Sequence, residues 1–148
     1  MKTVSEILRN KPNPQNFIAA DAKVFDALVL MNSVNLSYLI VMKDDQFKGI
    51  FSERDYTRNV ILKGRTSDTA RVEEVMTTDL PIVGLFDTVE TCMKLLDAHK
   101  TRYLPVLNGK KLEGVVTLND VLRQAIWNKE DVFDDLAHKL ADQGDKIF

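Results

Sequence analysis

The sequence predicts a mixed α+β (α/β) fold made of two similar halves, each with the order strand, helix, strand, strand, helix. Two observations predict it. The stretches 49–55 and 114–120 both read glycine, two apolar residues, a hydroxyl residue and, three positions later, aspartate. The segments 24–58 and 89–123 align without a gap, and a repeat of this length predicts two like structural units. Eight of the 35 aligned pairs are identical: Val24/Val89, Leu30/Leu95, Tyr38/Tyr103, Leu39/Leu104, Val41/Val106, Gly49/Gly114, Asp55/Asp120 and Arg58/Arg123.

Each half contains a predicted amphipathic helix. Its apolar residues recur at intervals of three and four positions, which places them on one face of the helix. Cys92 lies on this face, and the chain has no second cysteine for a disulfide, so we expect it to pack in the core. The apolar positions are Val24, Ala27, Leu28 and Met31 in the first half and Val89, Cys92, Met93 and Leu96 in the second.

Two antiparallel strands are expected after each of these helices. The apolar runs 38–42 and 103–107 are short and contain branched residues, which favours buried strands. Polar turns lead to second strands at 47–51 and 112–116, and the pair Asn108-Gly109 is a strong hairpin signal. Short extended segments at 16–19 and 81–84 precede the helices. A second helix should begin near Ser52 or Thr117 and, in the first half, end at Gly64.

These elements divide the chain into a first repeat at 1–64, a polar linker at 65–71, a second repeat at 72–128 and a C-terminal segment at 129–148. Segments 4–8 and 72–76 are expected to be matching turns ahead of the first strands. A half of about 60 residues buries only about 60% of its surface, so the repeats should pack through their sheets into one module. Phe133, Leu136 and Leu140 predict a C-terminal amphipathic helix, which would pack on its own domain or form a dimer contact.

The composition is that of a soluble globular protein, with 45% apolar and 28% charged residues among 148. The formal net charge is −2 and the basic residues are interspersed with acidic ones, so no extended positive surface is expected for nucleic acid. The apolar runs fall short of the roughly 20 residues that cross a bilayer, and residues 1–6 lack the apolar stretch of a secretion signal. We therefore expect a cytoplasmic protein without a membrane partner.

The sequence predicts neither a metal site nor catalysis. His99 and His138 are far apart, and neither has a second ligand at metal-binding spacing. Glu53 and Asp55 are two positions apart on a predicted helix, so their carboxylates should point in different directions. No residue pattern pairs a nucleophile with a base, and no glycine loop matches a nucleotide-hydrolase or dinucleotide fold. We therefore expect a protein that is not an enzyme.

The repeated hydroxyl and aspartate have two interpretations. Ser52 and Thr117 would cap helices, and Asp55 and Asp120 would suit the positive ends of the helix dipoles. Alternatively, each carboxylate would accept hydrogen bonds from the two hydroxyls of a ribose, while hydroxyl and amide groups at the helix start would bind phosphate oxygens. The two roles are compatible, and the preceding glycine would allow another group to approach the backbone closely.

With both units placed, the sequence resembles a pair of CBS domains, also called a Bateman module, of the small stand-alone bacterial type. The resemblance runs from about Val4 to Arg123 and is most specific at 49–55, at 114–120 and at Arg102-Tyr-Leu-Pro-Val106. It implies clefts between the repeats that bind adenosine-containing ligands such as AMP, ADP, ATP, NAD or S-adenosylmethionine. It also implies a homodimer.

The resemblance assigns Asp55 and Asp120 to ribose, and Ser52 and Thr117 to phosphate, with Arg54 and Asn119 as further candidates inside the motifs. It implies that each site is completed by the other repeat. The Asp55 site would take Ile82, Val83, Arg102 and Pro105, and the Asp120 site would take Phe17, Ile18, Ser37 and Tyr38.

The two sites are expected to differ. Arg102 is a forked, permanently charged donor, whereas its counterpart Ser37 offers a single hydroxyl, so we expect the Asp55 site to prefer a phosphorylated ligand. Ile40 stands where the second repeat has Pro105, which departs from the family pattern. The sequence therefore predicts a regulatory module that senses an adenine nucleotide and acts on another protein. The alternative is a structural or oligomerisation domain with no bound nucleotide.

Overall fold

The computed structural model describes residues 2–12 and 15–128, with no account of the side chains of 127 and 128. The predicted C-terminal helix lies outside the described residues. The described part is a mixed α+β structure with six α-helices, one π-helical segment and two small sheets. Helices are α1 Val4–Asn10, α2 Val24–Val34, α3 Glu53–Asp55, the π-helix Tyr56–Ile61, α4 Val72–Val75, α5 Val89–His99 and α6 Leu118–Asn128. Strands are β1 Phe17–Ala19, β2 Tyr38–Lys43, β3 Gln46–Ser52, β4 Tyr103–Asn108 and β5 Lys111–Thr117.

The chain forms two compact units. Among the described residues, unit 1 comprises 2–11, 82–107 and 113–128, and unit 2 comprises 12, 15–81 and 108–112. In unit 2, β1 pairs in parallel with β2, and β2 pairs antiparallel with β3. The other sheet contains β4 and β5. The predicted order of strand, helix, strand, strand, helix is therefore confirmed for the first repeat.

Each unit has its own apolar core, built from the helix faces that the sequence predicts. In unit 2 the core includes Val24, Ala27 and Met31 of α2. In unit 1 it includes Cys92 and Leu96 of α5, so the expected core position of Cys92 is confirmed. These side chains are at most 4% exposed, and burial of each large apolar side chain contributes about 1.5 to 3 kcal/mol.

The segments that precede the two repeats are short helices, and each packs in the core of the other repeat. Val4 and Ile7 of α1 lie in the core that α5 and α6 share. Val72 and Val75 of α4 lie in the core with α2, β2 and β3. Each short helix thus packs with the repeat that it does not precede in sequence.

The second predicted extended segment, 81–84, is reduced to a single parallel bridge between Val83 and Val106. The cause is visible at Pro105. In unit 2 the Ile40 amide donates to the Asn16 carbonyl at 2.9 Å, whereas Pro105, its counterpart, has no N–H to donate. The chain then turns at once, since the Gly84 amide bonds the Asp87 carboxylate at 2.7 Å.

The helix after β3 also differs from the expectation. It begins at Ser52, as predicted, but changes to π-helical bonding after Asp55, with the Leu62 amide donating to the Thr57 carbonyl. Gly64 adopts a φ of +72°, and the Arg65 amide bonds the Val60 carbonyl at 2.9 Å. The glycine end of this helix is therefore confirmed, because positive φ is easily reached only without a side chain.

Candidate functional site

The first motif joins β3 to α3 in unit 2, and its cap is complete. Ser52 has the extended backbone of an N-cap residue, and its hydroxyl accepts from the Asp55 amide at 3.3 Å. The Asp55 Oδ2 atom in turn accepts from the Ser52 amide at 2.9 Å and from the Ser52 hydroxyl at 3.0 Å. Both residues are 6% exposed. The capping interpretation is therefore correct for this motif.

Thr77, in the segment after α4, holds the other oxygen of Asp55. Its hydroxyl donates to Asp55 Oδ1 at 2.5 Å, and its backbone forms two bonds with Ile50 of β3. A Cβ on Gly49 would lie 2.6 Å from the Thr77 carbonyl oxygen. The group that approaches this glycine closely is thus the chain itself, so Gly49 is not an independent sign of a ligand.

The second motif joins β5 to α6 in unit 1 and has the same cap with different support. Asp120 Oδ2 accepts from the Thr117 amide at 2.9 Å, and the Thr117 hydroxyl accepts from the Asp120 amide at 3.2 Å. The Lys11 ammonium donates to the same Oδ2 at 2.8 Å and to the Val115 carbonyl at 2.7 Å. Arg123 Nη1 is 4.0 Å from Oδ1, beyond hydrogen-bond distance.

Gly114 of this motif lies against α1. It adopts a φ of +157°, and a Cβ there would lie 3.0 Å from a methyl carbon of Leu8. In unit 2 the side chain of Met76 lies in the equivalent position against Gly49. Both glycines therefore accommodate the short segment that precedes a repeat.

The backbone also joins each motif to the start of a neighbouring strand. The Glu53 amide donates to the Ser37 carbonyl at 3.0 Å in unit 2. The Leu118 amide donates to the Arg102 carbonyl at 2.9 Å in unit 1. Ser37 thus lies beside the Asp55 motif and Arg102 beside the Asp120 motif. Their assignment to the opposite sites stays a prediction.

The remaining predicted residues differ in exposure. Tyr38, Val83 and Pro105 are buried, and Ile18 and Thr117 are half-buried. Side chains exposed to solvent could meet a ligand without rearrangement. These are Phe17, Ser37, Arg54, Ile82, Arg102 and Asn119.

Two surface depressions of unit 2 contain predicted residues. One, of about 430 Å³, is lined by β1 and the β2–β3 turn and includes Phe17 and Ile18. The other, of about 380 Å³, lies at the end of α2 and includes Ser37 and Glu53. Pockets for small molecules usually fall between about 300 and 1,000 Å³, so either is large enough for part of a nucleotide.

Sequence reasoning missed Lys11 and Thr77, the side chains that contact the two motif aspartates. Lys11 is 109 positions from Asp120 and Thr77 is 22 from Asp55. No local spacing connects such pairs. The sole available signal was the glycine in each motif, which predicted the close approach of some group without identifying it.

The described residues contain neither a reactive thiol nor a side-chain cluster that could bind a metal ion. Burial, followed by the nearby Asp87 charge, raises the pKa of the Cys92 thiol to about 11, which keeps it protonated and unreactive near neutral pH. Within residues 2–12 and 15–128, no group of three or more His, Cys, Asp or Glu side chains could hold a metal ion. No helix in the same part of the chain has the length and apolar character needed to cross a membrane.

Comparison with known proteins is consistent with this geometry. The family model for the CBS domain matches residues 4–61 and 72–126. CBSX3, a mitochondrial CBS domain-containing protein of Arabidopsis thaliana, is 30% identical over 135 residues, which cover 84% of this chain and 65% of that protein. The chain thus spans slightly under two thirds of this relative.

Solved structures agree. A protein with CBS domains from Burkholderia ambifaria MC40-6 is 35% identical with a TM-score of 0.80, covering 87% of this chain and 97% of that one. A hexameric CBS-CP12 protein from bloom-forming cyanobacteria is 28% identical with a TM-score of 0.73, covering 96% and 80% of the two chains. CBS pairs generally bind adenosine-containing ligands in regulatory roles, and stand-alone members are mostly not catalytic. With two matched domains over most of its length, this chain belongs to the CBS domain family.

Proposed function

We propose that this protein is a regulatory module that binds an adenosine-containing ligand through the Asp55 and Asp120 motifs. The observation that carries the proposal is the repeated buried carboxylate. Both motifs place an aspartate at a helix start, held by its own cap and by one side chain from a distant segment. A carboxylate fixed in this way is pre-organised to accept hydrogen bonds from ribose hydroxyls.

In this proposal Ser52 and Thr117 lie on the phosphate side of the ligand, near the first amides of α3 and α6. The adenine base would contact apolar residues of the other repeat and the backbone of its first strand. For the Asp55 site these are Ile82, Val83, Arg102 and Pro105, and for the Asp120 site Phe17, Ile18, Ser37 and Tyr38. Arg54 and Asn119 are exposed and would contribute at the rim.

The ligand is proposed to be AMP, ADP, ATP, NAD(H) or S-adenosylmethionine, and binding would alter the interaction with a regulated protein. We further propose a homodimer, since the cyanobacterial CBS-CP12 protein is hexameric and self-association is therefore compatible with the fold. The cytoplasmic location stays a prediction from composition. The Arabidopsis relative is named as mitochondrial.

A second candidate function is a structural or oligomerisation domain with no bound nucleotide. The complete caps favour it, because Asp55 already accepts three hydrogen bonds within the protein. In that case the aspartates would stabilise the fold and nothing else.

Titration calorimetry and thermal unfolding with AMP, ADP, ATP, NAD, NADH and S-adenosylmethionine test the two functions. A ligand at 100 times its dissociation constant stabilises by about 2.7 kcal/mol, which raises the melting temperature by several degrees. Asp55→Asn and Asp120→Asn should each weaken binding about ten- to a hundred-fold at one site, since hydrogen bonds to a charged group contribute about 1.5 to 3 kcal/mol.

Asp87→Asn is the matched control, because Asp87 also accepts a bond from a backbone amide but lies outside both motifs. It should leave affinity unchanged. If none of the six compounds shifts unfolding or gives heat, the nucleotide-binding proposal is wrong and the structural function stands.

A further inference from the structure

The two motif aspartates are supported by groups of different charge. In unit 2, Thr77 bonds the Ile50 carbonyl through its backbone amide at 2.9 Å and Asp55 through its hydroxyl. In unit 1, the single ammonium of Lys11 bonds both the Val115 carbonyl and Asp120. Ile50 and Val115 are equivalent positions of the repeat. One cation therefore does in unit 1 what two neutral groups do in unit 2.

The cation changes the electrostatics of the Asp120 motif. The Lys11 and Asp120 side chains are 17% and 8% exposed, so solvent and salt screen their interaction far less than that of a surface pair. Arg123 adds a second positive charge at 4.0 Å from Asp120. Among the described residues no lysine or arginine nitrogen forms an ion pair with Asp55, whose donors are two hydroxyls and one amide.

An uncompensated carboxylate repels a phosphate bound nearby, whereas a neutralised one does not. We infer that Lys11 is a specificity-determining residue of the Asp120 motif, which it neutralises so that the motif accepts an adenosine ligand carrying phosphate beside the ribose. The Asp55 motif keeps its negative charge and favours an adenosine ligand that is neutral or cationic next to the ribose. This inference rests on the proposed function.

The assignment reverses the order of preference that the sequence predicts from Arg102. The backbone of Arg102 bonds Leu118 beside the Asp120 motif, in the same unit as Lys11. The charged side chains of Lys11 and Arg123 lie within 4.0 Å of Asp120, whereas the described groups that bond Asp55 are neutral.

Calorimetry with AMP and adenosine, which differ only by the phosphate, tests the inference in the whole 148-residue chain. The Asp120 motif is isolated with Asp55→Asn, and the Asp55 motif with Asp120→Asn. We expect the ratio of AMP to adenosine affinity to be higher in Asp55→Asn. In that background Lys11→Gln, which keeps a donor but loses the charge, should weaken AMP binding about ten-fold, which corresponds to about 1.4 kcal/mol. It should weaken adenosine binding less than three-fold.

Lys11→Arg keeps the charge and should leave the ratio of AMP to adenosine affinity unchanged. Lys2→Gln is the control for loss of a lysine beside α1, since Lys2 pairs with Glu6 at the surface. If Lys11→Gln does not fold by circular dichroism, Lys11→Met replaces it. Equal loss of AMP and adenosine would reduce Lys11 to a structural role and overturn the inference while the proposed function stands. Wild-type protein that binds neither AMP nor adenosine but binds another of the six compounds would also overturn the inference, whereas failure to bind any of them would overturn the proposed function.

Discussion

Replacement of Asp55 should destabilise the ligand-free protein by an amount that the structure allows to be worked out. Asp55→Ala removes three hydrogen bonds and leaves the buried Ser52 amide without an acceptor. An unsatisfied buried donor costs about 1 to 3 kcal/mol, and the lost charge at the helix start costs about 0.3 to 1 kcal/mol more. We therefore expect the free energy of unfolding to fall by about 2 to 3 kcal/mol, or the melting temperature by roughly 4 to 12 °C for a chain of this size.

Asp55→Asn should lower the free energy of unfolding by about half as much. Its amide oxygen can still accept hydrogen bonds from Ser52, and its NH₂ group can donate to the Thr77 hydroxyl. The assay is thermal unfolding without ligand, followed by circular dichroism. Asp26→Ala is the matched control. Asp26 occupies the same third position of a helix, α2, but is exposed and α2 has no side-chain cap bond. Equal lowering of the melting temperature by Asp55→Ala and Asp26→Ala would show that the buried hydrogen bonds of Asp55 do not stabilise the fold.

Two further predictions follow from packing and burial. Gly49→Ala should destabilise unit 2 by about 1 to 3 kcal/mol, since its Cβ would lie 2.6 Å from the Thr77 carbonyl oxygen. Gly84→Ala is the control, because its Cβ would lie 3.8 Å from the Asp87 carboxylate, and it should lower the free energy of urea unfolding far less. Cys92 should react slowly with iodoacetamide until the protein is unfolded, because its pKa is about 11. A raised thiol pKa favours folding below the ordinary value of 9.0, and this contribution is lost as pH rises towards 11. The free energy of unfolding of the wild type should therefore fall more steeply between pH 9 and 11 than that of Cys92→Ala. Equal dependence on pH in the two proteins would contradict the burial of the thiol.

The sequence allowed the repeated elements to be predicted because their signals are local. Helix faces, strand lengths and the cap residues Ser52 and Thr117 are all determined by neighbours within four positions. The turn at Gly109 was predicted by its glycine, and it has a φ of +64°. Its counterpart at 43–46 was predicted as a polar turn but without its conformation, since Asp44 and Asp45 adopt φ values of 53° and 59° without any glycine. Aspartate tolerates this conformation through short side-chain hydrogen bonding, which is a weaker signal.

The packing of the two short helices and the groups that hold the motif aspartates could not be predicted from the sequence, because they depend on contacts between distant segments. The packing of α1 with α5 and α6, and of α4 with β3, has no periodic signature, because helices of seven and four residues are too short to show one. The same is true of the groups that hold Asp55 and Asp120. The caps of both motifs were predicted from the sequence, and a difference between the two sites was expected from Arg102 and Ser37, but the different supports Lys11 and Thr77 were not predicted.

The packing of α1 has a consequence for how the chain folds as it is synthesised. Residues 12–81 are nearly sufficient for unit 2, so this unit can form early. Val4 and Ile7 must wait for a partner that follows more than 75 positions later. Closing the 109-residue separation of Lys11 and Asp120 costs about 1.4 kcal/mol more in chain entropy than closing the 22 residues between Asp55 and Thr77. An emerging chain that stops after residue 81 would therefore hold one folded unit and leave the apolar face of α1 exposed to water.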